Sequence, residues 1–219
     1  MILTIGNTKG GVGKSTLAVN IAIARAAQGR DVLLVDADEQ RSAATFTDIR
    51  TDEFGGSGYT AVALDGGALR GQILNLAPKY QDVVVDAGGR NTSSLRAALT
   101  VSDALLIPMR PRSVDLWVID TMTELMNEAH IFNPALSVYL VVNAADPRGT
   151  DNAAAADSLA SVPGMTVLPV MIGDRKAFSN AFGYGRAVIE QEGRDKDPKA
   201  VAELLALVEA IYAPRLAEV

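Results

Sequence analysis

At 219 residues, with 48% apolar and 21% charged side chains, the chain is long enough to bury one sizeable α/β core. It has no cysteine and one histidine, His130, which excludes disulfides, thiolate metal centres, iron–sulfur clusters, a cysteine nucleophile and any histidine cluster. A formal charge of −6 argues against a uniformly basic nucleic-acid binder, but it permits a local basic patch. No apolar run approaches the ~20 residues of a membrane span, and the first strand begins at Ile2 without a basic leader, so a cytosolic protein is expected.

In chain order, short apolar runs rich in β-branched residues stand at Ile2–Ile5, Val32–Val35, Val83–Val85, Ala104–Ile107, Val138–Val142 and Val167–Ile172, with a weaker one at Tyr59–Leu64. Their length and composition predict buried strands. Helical patterns lie between them, at Lys14–Gln28, Asn91–Val101, Val114–Glu128 and Asp151–Leu159. A last helix runs from Pro198 to about Tyr212, with Asp197 as its N-cap. This alternation predicts a single domain over residues 1–219: a doubly wound, mostly parallel sheet with helices on both faces. Gly55-Gly56-Ser57-Gly58 reads as a loop within it.

The first strand runs into Gly6-Asn7-Thr8-Lys9-Gly10-Gly11-Val12-Gly13-Lys14-Ser15-Thr16 and then a helix. That context suits a phosphate-binding loop. Glycines let backbone N–H groups wrap phosphate oxygens, the helix N-terminus adds its positive dipole end, Lys14 supplies a cation and the Ser15 hydroxyl a magnesium ligand. A dinucleotide-binding turn would want a spaced third glycine where Lys14-Ser15-Thr16 stands. The second strand ends in Asp36-Ala37-Asp38-Glu39-Gln40. Two carboxylates at the crevice end of a strand can share the tasks around a magnesium ion and an attacking water. Asp82-Val83-Val84-Val85-Asp86 has the form of an apolar strand closed by a metal-holding aspartate. The amides of Gly88 and Gly89 after it are placed to sense a γ-phosphate.

Thr8 occupies a position where the ordinary phosphate loop has glycine, and Lys9 follows it. Lys9-Gly10-Gly11-Val12-Gly13-Lys14-Ser15-Thr16 resembles the deviant Walker A motif of the ParA/MinD class of P-loop ATPases, KGGxGK[ST]. The resemblance spans nearly the whole chain, and its specificity lies in residues 8–16, 36–40 and 82–89. It implies binding of ATP and Mg²⁺, with Lys9 reaching across a homodimer interface to the partner subunit's phosphates. Asp38 would orient the hydrolytic water, and Asp36 would sit near the metal with Ser15 and Asp86. Glu39 and Ala87-Gly88-Gly89 replace the prolines usual at those places. Ile107-Pro108-Met109-Arg110-Pro111-Arg112-Ser113-Val114-Asp115 is similar to the family's P-x-x-P-S-x-x-D region. Asp115 is there either an exchange partner for Lys9 in the switch or a carboxylate in a helix first turn. Asn143 either meets the base edge or caps a turn.

The small ParA-type partition ATPases, which lack an N-terminal helix-turn-helix, resemble the chain most, because the phosphate-loop strand begins at residue 2. What this implies is an ATP-switched homodimer that binds DNA non-specifically. With a ParB/ParG-like centromere-binding or cargo adaptor that stimulates weak intrinsic hydrolysis, it would partition or position a plasmid, a chromosome or another large cargo. It would be cytoplasmic and nucleoid-associated. Arg175, Lys176, Arg186 and Lys199 are candidate DNA contacts, although five acidic residues lie among the basic ones from Asp174 to Lys199 and a mixed-charge surface reads equally well. Residues 197–219 are net acidic, which disfavours a membrane-docking tail. Relatives of the class that need cysteines are excluded. The alternative is a dethiobiotin synthetase-like kinase or ligase acting on a small substrate.

Overall fold

The computed structural model describes residues 1–89, 92–111, 116–146 and 151–213. Seven strands, β1 (Ile2–Gly6), β2 (Val32–Ala37), β3 (Thr60–Ala63), β4 (Asp82–Ala87), β5 (Ala104–Met109), β6 (Ser137–Ala145) and β7 (Thr166–Gly173), form one sheet in the order β3-β2-β4-β1-β5-β6-β7. Every pairing is parallel. All seven predicted runs contain strands: six are extended by one to three residues at one or both ends, and the weaker run at Tyr59–Leu64 is trimmed to Thr60–Ala63. Asp36 and Asp86 are themselves paired in register at the ends of β2 and β4.

Period-two alternation sorts the strand residues between two cores. Leu3, Ile5, Leu34, Val84 and Leu106 pack with helices α1 (Lys14–Ala27), α2 (Ser42–Phe54), α7 (Lys176–Gly183) and α8 (Pro198–Tyr212). On the opposite face, Leu33, Val35, Val83 and Val85 meet α3 (Leu69–Leu76), while Leu105, Ile107, Leu140 and Val142 meet α4 (Thr92–Leu99), α5 (Leu116–Phe132) and α6 (Asp151–Ala160). The predicted cap of α8 is present: the Asp197 carboxylate accepts from the Lys199 and Ala200 amides.

Helices α2 and α3 escape the periodicity argument. The buried side of α2 is Ala43, Phe46, Thr47 and Arg50, so half of it is polar. Arg50 is satisfied there by a bidentate pair with Glu190 (2.7 and 2.8 Å) and by the carbonyls of Ser57 and Gly185. Helix α3 spans two turns and buries only Leu69 and Ile73. At the strand amino ends, Asp82 is a second buried charge. It is held by Arg25 at 2.8 Å, Arg30 at 3.4 Å and the terminal amine at 3.7 Å. Among the described residues, no helix is long and apolar enough to cross a membrane.

Candidate nucleotide site

The carboxyl ends of β1, β2 and β4 converge on one cleft of about 550 Å³, lined by Gly10, Gly11, Gly13, Lys14, Ser15, Thr16, Asp38, Gln40, Ser42, Gly89, Arg110 and Phe182. The loop from β1 to α1 reaches it through Gly13, which has φ +93°. A Cβ there would lie 2.4 Å from the Asn143 amide nitrogen, so both backbone and space require glycine. The Lys14 ammonium donates to the Lys9 carbonyl at 3.1 Å. Burial holds its pKa below the usual lysine value, against the pull of Asp86 and Asp38. The Lys9 amide donates to Asn7 Oδ1 at 2.9 Å, and the Lys9 side chain makes no ion pair with a described residue.

Asp86 is wholly buried and neither carboxylate oxygen accepts a hydrogen bond. Burial pushes its pKa up to about 7. The neighbouring Ser15 hydroxyl and Lys14 oppose this rise, and Asp36 and Asp38 add to it. An orphaned carboxylate beside a hydroxyl and a lysine is a donor set that fits a hard, oxygen-liganded cation such as Mg²⁺. Asp38 lies against Gly88: a Cβ there would come within 2.6 Å of Asp38 Cγ and 2.9 Å of each of its oxygens. Gly89 sits against the Asn7 and Thr8 carbonyls and the Lys14 ammonium in the same sense. The two glycines that replace the family's prolines therefore admit Asp38 and the phosphate loop to the end of β4.

Asp36, expected near the metal, is also tied to the backbone of its own turn. One of its oxygens accepts from the Asp38 amide (3.0 Å) and the other from the Ala44 amide (2.8 Å). With the Asp36 carbonyl also held by Arg41, this 2%-exposed residue braces the turn that carries Asp38. Burial raises its pKa, partly offset by those two amides. The Asn143 amide is likewise committed, donating at 2.6 Å to the Val12 carbonyl 131 residues away. Asn143 also lines a second cleft of about 430 Å³ with Ala144, Asp174, Arg175, Lys176 and Phe178, which adjoins the first at Gly13, Thr16 and Arg110. Asp115 lies outside the described residues.

Of the DNA candidates, Arg175 is already paired: its guanidinium meets Glu203 (2.9 Å from Nε) and approaches Asp197 at 3.6 Å. Arg186 is half-buried over the Phe54 ring at 5.0 Å, beside Glu53, Glu192 and Asp195. Lys176 and Lys199 are exposed in the first turns of α7 and α8. Asn7 is a strut that no sequence motif marks: its buried amide donates to the Pro108 carbonyl at 2.9 Å while its oxygen takes the Lys9 amide. Arg110, which lines the cleft, lies in the motif-like segment without being one of its marked positions.

Residues 3–188 match the family model described as the CobQ/CobB/MinD/ParA nucleotide binding domain. The chain belongs to this family. Among curated relatives of this ParA/MinD-class chain, the maintenance of carboxysome distribution protein A of Halothiobacillus neapolitanus is 31% identical over 196 residues, covering 89% of each chain. The protein of the same description from Gloeobacter kilaueensis is 30% identical over 210 residues, covering 93% of each. In fold the family member resembles an ATP complex of a Cyanothece McdA variant, with a TM-score of 0.77 at 17% identity, over 96% of this chain and 95% of that one.

Proposed function

We propose that the chain is an ATP-hydrolysing switch that dimerises on ATP and positions a large cargo over DNA. The observation that carries this reading is the pairing of an orphaned, buried Asp86 beside Lys14 and Ser15 with Asp38 held against Gly88 on the facing wall. One side suits a triphosphate and its metal, and the other suits a water in line with the γ-phosphate. Mg²⁺, when bound, would neutralise phosphate charge, with Ser15 and Asp86 as its holders. Lys14 binds phosphate oxygens from a desolvated position where its charge is strongly felt. Asp38, fixed through the turn that Asp36 braces, orients and polarises the attacking water.

Lys9, with its backbone tied to Asn7 and Lys14 and its ammonium unpaired among described residues, is the group to cross to the partner subunit's nucleotide. Cleavage of the γ-phosphate then removes the contact that holds Gly88 and Gly89, and the pair separates. The relatives named for carboxysome distribution favour a large assembly as cargo, reached through an adaptor protein that stimulates turnover. Exposed Lys176 and Lys199 are candidates to meet DNA phosphates on the dimer.

The test is DNA binding by the purified protein with ATP, ADP or no nucleotide across a salt series. Binding with ATP alone, falling steeply with salt, is expected. Lys14→Ala abolishes it, and Asp38→Ala retains ATP-dependent dimers while losing turnover. Nucleotide-independent DNA binding, or normal hydrolysis by Asp38→Ala, refutes the reading.

A further inference from the structure

The two clefts of the site share only Gly13, Thr16 and Arg110. Lys14, Ser15, Asp38 and Gly89 line the phosphate cleft alone, whereas Asn143, Asp174 and Lys176 line the second cleft alone. A nucleotide that lays its terminal phosphates in the first and its base in the second passes the shared residues at its midpoint. Two of these belong to the phosphate loop and its helix. Arg110 approaches from elsewhere, on the exposed turn after β5, whose neighbour β1 delivers the loop.

Among the described residues, Arg175 near the site is paired with Glu203 and Arg41 with Asp65. Arg110 pairs with no described carboxylate, and it lines both clefts. A planar fork of donors matches two oxygens of one phosphate. We infer that Arg110 is a nucleotide-binding residue that holds the α-phosphate, where the chain of phosphates leaves the loop for the ribose.

This inference rests on the nucleotide reading above and adds a claim of its own. The α-phosphate is common to ATP and ADP and gains little charge when the γ-phosphate departs. Arg110 therefore contributes binding that is uniform along the reaction. The experiment measures Kd for Mg–ATP and Mg–ADP with fluorescent analogues, together with steady-state hydrolysis, for wild type, Arg110→Ala, Arg110→Lys and Lys14→Ala.

Arg110→Ala is expected to weaken ATP and ADP by the same factor, about tenfold, with kcat/KM falling to match through KM. Arg110→Lys recovers part of the loss, because a point charge replaces the fork. Unchanged affinities in Arg110→Ala overturn the inference. So does a loss confined to ATP and carried by kcat, which would place Arg110 at the γ-phosphate. If Lys14→Ala binds both nucleotides like wild type, the site reading itself fails, independently of Arg110.

Discussion

Asn143 offers the sharpest test of how the phosphate loop is held. Its Nδ2 donates at 2.6 Å to the Val12 carbonyl, and Val12 is 2% exposed, so no solvent stands ready to replace the lost donor. Asn143→Ala leaves that carbonyl buried and unpaired, at a cost of about 1–3 kcal/mol. If the bound loop conformation depends on this bond, nucleotide affinity falls by the corresponding factor, roughly 5- to 150-fold. Any share of the cost borne by the free protein lowers Tm by about 2–4 °C per kcal/mol. Since Asn143 also lines the base-side cleft, the assay uses two ligands: Mg–ATP and Mg–tripolyphosphate, which has no base. Loop anchoring predicts that both weaken by a similar factor. Loss of ATP binding with tripolyphosphate affinity intact would refute the anchoring argument and leave Asn143 as a base contact alone.

Other substitutions probe separate parts of the molecule. Gly88→Ala forces a methyl to within 2.6 Å of Asp38 Cγ. Turnover should fall tenfold or more while ATP affinity stays within about twofold, since displacing a catalytic group by 1 Å can cost about 10²-fold; a normal kcat would show that Asp38 does not work from this position. Asp86→Asn should keep Mg-free ADP binding but lose most of the gain that Mg²⁺ confers, read by titration in EDTA and in excess Mg²⁺; an unchanged Mg²⁺ dependence would place the metal elsewhere. Asp82→Ala strands Arg25 at a side chain only 14% exposed and should destabilise the fold by about 3–5 kcal/mol in urea melts. Its nucleotide affinity in dilute buffer should hold, because the cluster lies at the strand amino ends, away from the cleft.

Local chemistry along the chain was sufficient to specify the strands, the phosphate loop and the cap of α8. A run of β-branched residues, a glycine-rich turn before Lys14-Ser15 and an aspartate before Pro198 each declare themselves within a few neighbours. The same holds for placing Asp36, Asp38 and Asp86 at one edge, since parallel strands bring their carboxyl ends together. Pairings across long stretches of chain were decided only by the tertiary structure. The polar inward face of α2 makes sense once Glu190 meets Arg50, 140 residues on. Asn143 is a strut because Val12 lies opposite it, and Arg175 is paired because Glu203 reaches it. Asp36 also accepts from the Ala44 amide, a partner that spacing alone does not name. A side chain's type limits which bonds it can make, and its partner is chosen when packing excludes water and leaves one donor or acceptor within reach.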